Sequence, residues 1–397
     1  MDNSIKLECE EQKKTQVVYF TNYSSLYGAN RSLLEMLQVL RNYRIEPIVI
    51  TPVYGEINKE LDRISIKNKT LYFRSWICSS NDILIKKILK LLITYIVNSF
   101  SCIYIYRFLK GQHIDLIHTN SSVINIGALV SEQLQIPHIW HIREYGEEDY
   151  NIRFLYPFKR AVQFILEKSK KIVFISRDLM LKYEPYMDND SKSIIIYNGA
   201  KKDKYYSIKE SNPDVGTFRI VCCGLIQPNK NQMEVLKAIQ ILVNEKKIKN
   251  LELILVGDGS KQYINMLHDY VDRYKLHDYV KFNGYTNNVA DIIKTCSIGV
   301  VPSRREAFGR VTIEYMLAGL PVIASNTGAN SEIIEDGKTG YIYELNNPID
   351  LSEKIKLLYT DRNQLLRFSK YAQKKALNEF TADINAKKIY ELYQQVL

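Results

Sequence analysis

The sequence has few cysteines, and none stands where a metal ligand would be expected. Six cysteines occur in 397 residues, at positions 9, 78, 102, 222, 223 and 296. No Cys-x-x-Cys pair and no histidine at zinc-site spacing accompanies them, so neither a disulfide framework nor a structural zinc site is expected. Such scattered free cysteines are typical of a reducing cytoplasm.

The sequence also lacks the apolar segments that export and membrane insertion require. The first 16 residues, MDNSIKLECEEQKKTQ, are charged throughout and contain no apolar core of a signal peptide. The apolar uncharged run at residues 91–106 is 16 residues long, which is shorter than the ~20 apolar residues of a spanning helix. We therefore expect a cytoplasmic protein without a membrane span.

The net charge of +10 is concentrated in one region, because residues 59–110 contain 10 lysines and arginines against 3 acids. One interpretation is that the apolar residues 83–106 and their basic flanks form an amphipathic helix on anionic lipid, at the inner face of the cytoplasmic membrane. The other is a core helix with a solvated basic rim, and the sequence leaves both open. No nucleic-acid-binding motif accompanies the charge, so nucleic acid is not an expected partner.

Short β-rich runs alternate with longer helical patterns along the chain. Runs such as 16–20, 46–51 and 115–119 predict strands, whereas the leucine spacing within 32–40 gives one apolar helical stripe. This alternation predicts an α/β protein with parallel sheets. The composition, with 46% hydrophobic and 25% charged residues, excludes wholesale disorder.

A polar stretch, residues 198–217, separates two series of strand candidates and is typical of a linker. Ligands of open α/β sheets bind beyond the carboxyl ends of the strands, so a cleft between two such domains is the expected site. The expected organisation is a first domain at 1–199, a linker at 200–217, a second domain at 218–380 and a final helix at 381–397.

Residues 300–342 contain the strongest candidate site. A strand at 298–301 is followed by a loop with Glu306 and then by a helix that includes Glu314. Unpaired N–H groups at the helix start, with Gly309 allowing close approach, suit a phosphate. Eight residues separate the carboxylates, about 12 Å if all are helical. The alternative is that Glu306 and Glu314 are ordinary surface charges. A second helix start within 326–335, which would point into the same crevice, makes this alternative less favoured.

This segment resembles glycosyltransferase family 4 of the GT-B fold, whose hallmark is Glu, seven residues and Glu, followed by small-Gly-x-Pro. The matching stretches are EAFGRVTIE from 306, AGLP from 318, SNTGANSEII from 325 and DGKTGYI from 336. The resemblance implies two Rossmann-like domains facing across a cleft, with the C-terminal helix crossing back to the first domain. It implies that Glu306 contacts donor sugar hydroxyls and Glu314 the nucleotide ribose, while the backbone at Phe308 and Gly309 meets donor sugar or phosphate.

Further turns of the second half resemble the donor side of this family. Gly224 begins a loop that leads to Lys230, which matches the family's phosphate-binding lysine; a loop lysine is well suited to neutralise a leaving diphosphate. Gly257 shapes the next turn, and Gly284 with Tyr285 matches the position that holds the base through backbone contacts.

The first half resembles the acceptor domain of the family. Gly28, Ala29 and Asn30 stand at a predicted helix start, where an anionic acceptor would meet exposed amides. Many family members carry a histidine at the position of Arg143, and His141 lies two residues earlier on the same strand face. Either side chain is a candidate for the catalytic side of the cleft, whereas His138 is expected to pack in the core.

The resemblance therefore implies a retaining glycosyltransferase that moves a sugar from UDP or GDP to a hydroxyl of a lipid-linked or polysaccharide acceptor in cell-envelope glycan synthesis. Its catalytic candidates are Glu306, Lys230, His141 and Arg143, and neither metal nor cofactor is expected. The family frequently has arginine where this chain has Leu225. A noncatalytic accessory subunit of the same fold therefore stays open as an alternative, as does a nucleotide-sugar epimerase.

Two patterns resemble other chemistry. Asp188, Asn189 and Asp190 form an Asp-x-Asp triplet, which holds metal in other glycosyltransferase folds, but here it lies in a polar turn and is attributed to chance. Ser176 and Asp178 are not surrounded by a Gly-x-Ser-x-Gly elbow, so a helix cap is the expected role of Ser176.

Overall fold

The computed structural model describes residues 14–187, 191–207 and 216–397, and every element below lies within these ranges. Strands and helices alternate, which confirms the predicted α/β class. The first unit contains β1 (Thr15–Phe20), α1 (Gly28–Leu40), β2 (Ile45–Thr51), α2 (Glu56–Arg63), β3 (Lys67–Thr70), β4 (Ile77–Ser79), α3 (Leu84–Leu109), β5 (Leu116–Thr119), α4 (Ile126–Leu134), β6 (His138–Ile142), α5 (Glu147–Tyr150), β7 (Ile152–Phe154), α6 (Phe158–Glu167), β8 (Lys171–Phe174), α7 (Arg177–Tyr183) and β9 (Ser193–Ile195).

The second unit follows a short helix that lies between the two strand series. In chain order the elements are α8 (Lys202–Tyr205), β10 (Phe218–Cys223), α9 (Gln232–Gln240), β11 (Leu251–Val256), α10 (Lys261–Tyr274), β12 (Val280–Gly284), α11 (Val289–Lys294), β13 (Ile298–Val301), α12 (Arg310–Leu317), β14 (Val322–Ser325), α13 (Asn330–Ile333), β15 (Gly340–Tyr343), α14 (Pro348–Thr360), α15 (Arg362–Glu379) and α16 (Ala382–Val396).

Each unit is built on a parallel sheet. The parallel sheet of the first unit has the order β3-β2-β1-β5-β6-β8-β9, with β4 and β7 in a separate antiparallel pair, and that of the second unit has the order β12-β11-β10-β13-β14-β15. Helices cover both faces, so central strands such as β11, with the sequence LELILV, are almost continuously apolar and buried. The strand order reverses beside β1 in one sheet and beside β10 in the other, and these switch points are where doubly wound sheets bind ligands.

The last helix crosses back to the first unit, as predicted. Leu392 and Tyr393 of α16 pack in one cluster with Tyr19 and Leu33, and the Tyr393 hydroxyl lies 2.9 Å from that of Tyr19. The chain is divided near Phe380 into α15 and α16. Thr381 caps α16, and this break redirects the chain toward the first unit.

One helix of the described residues, α3, is long and apolar enough to cross a membrane by length and composition alone, a test that core helices of soluble proteins also pass. It extends well beyond the uncharged run in both directions, because the lysines of its first turns and the arginine of its last belong to the same helix. Most of its apolar surface faces away from the first unit.

Candidate active site

The three glycine turns predicted for the donor side lie together at the carboxyl ends of β10, β11 and β12. The Gly224 amide donates to Val256 O at 2.9 Å, and the Gly257 amide donates to Gly284 O at 3.0 Å. A Cβ on Gly257 would lie 1.9 Å from the carbonyl oxygen of Gly224, and Gly257 has a φ of +143°. The close stacking of these turns therefore requires glycine.

The Gly224 turn leaves open space, because nothing lies within 4 Å of where its Cβ would be. Leu225 follows it, with 40% of its surface exposed. Tyr285, after Gly284, is also exposed, and its hydroxyl donates to Asn287 at 3.0 Å. At the Gly224 and Gly284 turns this edge of the second sheet is thus lined by backbone and uncharged side chains, which suits contacts to a nucleotide through main-chain groups.

Lys230 and Glu306 meet in the cleft. Lys230 ends a short 3-10 turn after β10, and its Nζ lies 2.5 Å from Glu306 Oε1, with the two side chains 27% and 14% exposed. Ser303 Oγ donates to the same carboxylate oxygen at 2.6 Å. Asn229, beside Lys230, donates to Asp149 O of the first unit at 3.2 Å, so this ion pair lies where the two units face each other.

The backbone around Glu306 is fixed by the loop after β14. The Ala329 amide donates to Glu306 O at 2.9 Å, and a Cβ on Gly328 would lie 2.3 Å from that oxygen. Gly309 precedes α12 with a φ of +78°, while the Phe308 side chain is buried against Phe380. Only the backbone of Phe308 and Gly309 is therefore placed to meet a ligand.

Glu314 does not stand free, because Arg310 covers it. Arg310 donates from Nε to Glu314 Oε1 at 2.8 Å, and its other nitrogens donate to Glu35 Oε2 at 2.7 Å and Ser32 Oγ at 2.9 Å in the first unit. The estimate of about 12 Å between the two glutamates is wrong in its premise, since α12 begins at Arg310 and Glu306 lies in the preceding loop.

A second set of contacts between the units was not predicted. The Glu332 carboxylate accepts from the amides of Arg177 and Asp178 at 2.8 and 2.7 Å, and Arg305 pairs with Asp178 at 2.8 Å. Ser176 caps α7, as predicted, and its hydroxyl also donates to Ala307 O at 2.6 Å. These partners are about 130 to 155 residues apart in sequence, so local pattern carried no signal for them.

The predicted acceptor residues open α1. Gly28 is exposed and Ala29 partly so, and nothing lies within 4 Å of where a Gly28 Cβ would be. Asn30 differs, because its side chain is buried. It accepts from Thr21 Oγ1 at 2.6 Å and donates to Tyr23 O and Ser25 O at 3.0 and 2.7 Å. Its amide therefore braces the preceding loop and is not available for an acceptor.

His141 and Arg143 lie on one face of the strand, and both are buried. Arg143 donates from Nε to Asn120 Oδ1 at 2.7 Å, from one terminal nitrogen to Asn198 Oδ1 at 2.6 Å, and from the other to His141 Nδ1 at 3.3 Å. Because arginine only donates, His141 Nδ1 accepts and the ring proton lies on Nε2. That nitrogen has no partner among the described residues.

The surroundings of these side chains keep the histidines neutral. Burial, and then the charge of Arg143, hold the pKa of His141 and of its neighbour His118 well below the ordinary value. Burial lowers the pKa of Arg143 to about 10. The site thus contains a neutral His141 whose Nε2–H is buried and has no partner among the described residues, while the Arg143 guanidinium is occupied by neighbouring side chains.

His138 packs in the core, as predicted, between Thr119 Oγ1 at 2.7 Å and Lys168 O at 3.0 Å. The Asp-x-Asp triplet at 188–190 lies outside the described residues. Within the described part of the chain, no group of three or more histidine, cysteine or acidic side chains is arranged to hold a metal ion.

Comparisons with known proteins identify glycosyltransferases similar to this chain. Residues 204–375 match the family model described as Glycosyl transferases group 1. An uncharacterised glycosyltransferase of Methanocaldococcus jannaschii is 30% identical over 265 residues, which are 66% of this chain and 70% of that protein. The UDP-Gal:alpha-D-GlcNAc-diphosphoundecaprenol alpha-1,3-galactosyltransferase of Escherichia coli is 22% identical over 400 residues, covering 96% of this chain and 97% of that protein.

Solved structures share the whole architecture. HepE of Anabaena in complex with UDP superposes with a TM-score of 0.79 at 18% identity, covering 96% of this chain and 100% of HepE. HepE in complex with UDP-glucose gives a TM-score of 0.77 at 19% identity, covering 96% and 99%. The fold of this chain is therefore GT-B, as predicted.

Proposed function

This chain belongs to the group 1 family of glycosyl transferases, and we propose that it is a retaining enzyme that transfers a sugar from a UDP- or GDP-sugar to a hydroxyl of a lipid-linked or polysaccharide acceptor in cell-envelope glycan synthesis. The observation that carries this proposal is the Lys230–Glu306 pair, 2.5 Å apart in the cleft. The names of the relatives support the donor and acceptor classes, since one uses UDP-galactose and a diphosphoundecaprenol acceptor.

The donor would lie along the carboxyl edge of the second sheet. The turns at Gly224, Gly257 and Gly284 suit the nucleotide, and the N–H groups that begin α12 suit the diphosphate. Lys230 donates one hydrogen bond to Glu306 and has two further N–H groups for phosphate oxygens. Glu306 would accept from sugar hydroxyls, because its second oxygen is not used by Lys230 or Ser303.

During transfer, the bond between the sugar C1 and the phosphate oxygen breaks, and a bond from the acceptor oxygen to C1 forms on the same face. The acceptor proton passes to the leaving phosphate, so neither glutamate is assigned as a nucleophile. Lys230 stabilises the charge that develops on the diphosphate. We assign His141, through its unpartnered Nε2–H, to a hydroxyl of the donor sugar, and Arg143 to positioning that ring. The reaction would take place on the cytoplasmic side of the membrane, and no metal or cofactor takes part.

A donor-hydrolysis assay tests this function. Purified protein is incubated with a panel of UDP- and GDP-sugars, and released nucleotide is measured. We expect slow release with one donor, reduced about 100-fold in Lys230→Ala because the leaving charge loses its cation. Glu306→Ala, tested as a separate variant, should abolish most of the nucleotide release because the contacts to the sugar hydroxyls are lost. Proton NMR of the released or transferred sugar should show the anomeric configuration of the donor.

Lys237→Ala is the matched control, since it removes an exposed lysine of α9 seven residues away and should leave nucleotide release unchanged. Affinity for a nucleotide sugar without any turnover would favour the accessory subunit that Leu225 leaves open. Conversion of the free donor into an isomeric donor would favour the epimerase. Calorimetry that finds no affinity for any nucleotide sugar would overturn the proposal.

A further inference from the structure

Helix α3 exposes its apolar side chains and buries polar ones, the reverse of an ordinary surface helix. Its exposed large apolar residues are Leu84, Ile85, Ile88, Leu89, Leu92, Ile93, Tyr95, Ile96, Phe100, Ile103 and Tyr104. We call these residues the α3 face. Half of the six buried residues of α3, in contrast, are the polar Thr94, Asn98 and Ser101.

The polar side is held to the first unit by hydrogen bonds. Asn98 accepts from the Arg74 amide at 2.8 Å, donates to Arg74 O at 3.0 Å and donates to Asn125 Oδ1 at 3.1 Å. Near the other end, Cys102 and Ile105 pack in the core of the unit. The helix is thus attached to the domain over much of its length, and the α3 face points outward.

The α3 face is larger than the scattered apolar residues of a soluble surface. From Leu84 to Tyr104 it is roughly 30 Å long at about 1.5 Å per residue, and a helix about 10 Å wide then presents roughly 300 Å² in projection. That reaches the size of the largest apolar patches on ordinary monomers, which are commonly interaction sites. Tyr95 and Tyr104 add rings with a polar tip, which favour the boundary between water and hydrocarbon.

The charges around this face are predominantly basic, although Asp82, just before α3, pairs with Lys86 at 2.7 Å and with Lys90 at 2.5 Å. No acidic residue occurs from 83 to 110, while Lys86, Lys87, Lys90, Arg107 and Lys110 stand at its two ends. The side chains of Lys67 and Lys69 extend the basic border, since both lie about 6 Å from the Phe108 ring. A second copy of this chain would bring two such borders together and be repelled. An anionic surface would be attracted.

We propose that the α3 face docks on anionic membrane lipid, with the helix axis parallel to the bilayer and its apolar side chains among the acyl chains. The helix follows β4 and leads to the amino end of β5, so its first turns lie toward the carboxyl edge of the first sheet, where α1 and the cleft are. Docking would therefore present the cleft to a membrane-embedded acceptor. It extends the proposed function but does not depend on it.

Vesicle flotation of the full-length protein tests this docking without any nucleotide sugar, so it fails or succeeds independently of the donor assay. Wild type should float with vesicles of phosphatidylcholine mixed with phosphatidylglycerol and should be released by salt. Leu92→Glu with Ile96→Glu, at sites 55% and 54% exposed, should reduce vesicle partitioning at least tenfold. Lys87→Gln and Arg107→Gln should each reduce it roughly fivefold, because each removes one cation near the lipid surface.

The matched control is Met266→Glu with Ile349→Glu, which adds the same charge at sites 50% and 62% exposed on the second unit and should float like wild type. Circular dichroism and thermal melting check folding, and Leu92→Gln with Ile96→Gln replaces the glutamate variant if that one unfolds. Four results would each overturn the proposal. Two come from flotation: wild type does not float, or it floats equally well with phosphatidylcholine alone. The other two are resistance to alkaline extraction, as for a spanning helix, and a dimer in light scattering that the Leu92→Glu change dissociates.

Discussion

At the scale of single residues, the cleft depends on charges that have lost most of their water and must find partners in the protein. Arg310 shows this most clearly, because it joins Glu314 of its own helix to Glu35 of the first unit, 275 residues away in sequence. Burial lowers its pKa, but the two carboxylates more than reverse this and hold the pKa above the ordinary value. The sequence indicated Glu314 through its motif. Nothing local indicated Glu35 or Arg310.

Arg310→Ala should destabilise the protein by about 3 to 5 kcal/mol, because it leaves the buried carboxylate of Glu314 and the partly buried one of Glu35 without this cation. Urea unfolding followed by circular dichroism measures this change. Arg304→Ala is the control, since its guanidinium is exposed and donates to Asn346 at 3.2 Å, and should cost less than about 1 kcal/mol. Adding Glu35→Gln to Arg310→Ala should restore part of the loss. Equal midpoints for the two arginine variants would contradict this role of Arg310.

At the scale of elements, the strands and helices that could be predicted were those with a periodic pattern of apolar residues in the sequence. Buried strands such as β1 and β13 have such a pattern, and their positions followed from the sequence. β3, with the sequence KNKT, is an edge strand with two exposed residues. It was missed because an edge strand carries charge and has little apolar pattern. For strand β6, the alternation of side chains predicted that His141 and Arg143 lie on one face. It did not predict which side chains from other elements they contact.

Acid should destabilise the protein through strands β5 and β6, which bury His118, His138 and His141. Burial lowers the pKa of His138 to about 4, whereas an unfolded histidine titrates near ~6.5. Between these values the unfolded chain binds a proton that the folded chain does not, so stability rises with pH across this window and is lost on acidification. His138 alone should change the folding equilibrium about tenfold per pH unit there. His118 and His141 act in the same direction.

Urea unfolding at several pH values between 4 and 7 measures this slope. His138→Gln should make the protein less stable at pH 7 but should reduce the slope by about one proton, because one titrating group is gone. His277→Gln replaces a histidine that lies mostly in solvent and should leave the slope unchanged. A His138→Gln slope equal to that of wild type would exclude His138 as a source of the acid sensitivity.

At the scale of the whole molecule, two α/β units, a cleft and a returning C-terminal helix were predictable because each follows from local pattern and chain order. The relative position of the units was not. It depends on contacts between residues distant in sequence, at Arg310 on one side of the cleft and at Glu332 on the other. Glu332 is decisive for the second side, because its carboxylate accepts from two amides that begin α7 and from the Tyr197 hydroxyl at 3.0 Å.

Glu332→Gln should therefore loosen the approach of the two units. A neutral amide cannot accept at both oxygen positions, so one α7 amide loses a charge-assisted hydrogen bond worth about 1.5 to 3 kcal/mol. We expect a larger radius of gyration in small-angle X-ray scattering and a transfer rate at least tenfold lower. Donor affinity should stay within about threefold of wild type, because the nucleotide turns belong to the second unit alone.

Glu335→Gln is the matched control, three residues further along. Its carboxylate pairs with Lys338 at 2.6 Å and with Lys375 at 3.0 Å, both outside the first unit, so the same substitution should leave scattering and transfer unchanged. If the two variants scatter alike and transfer alike, the contact at Glu332 does not set the distance between the units. If Glu332→Gln instead loses donor affinity as strongly as transfer, the carboxylate acts on the donor side and not through the closure of the cleft.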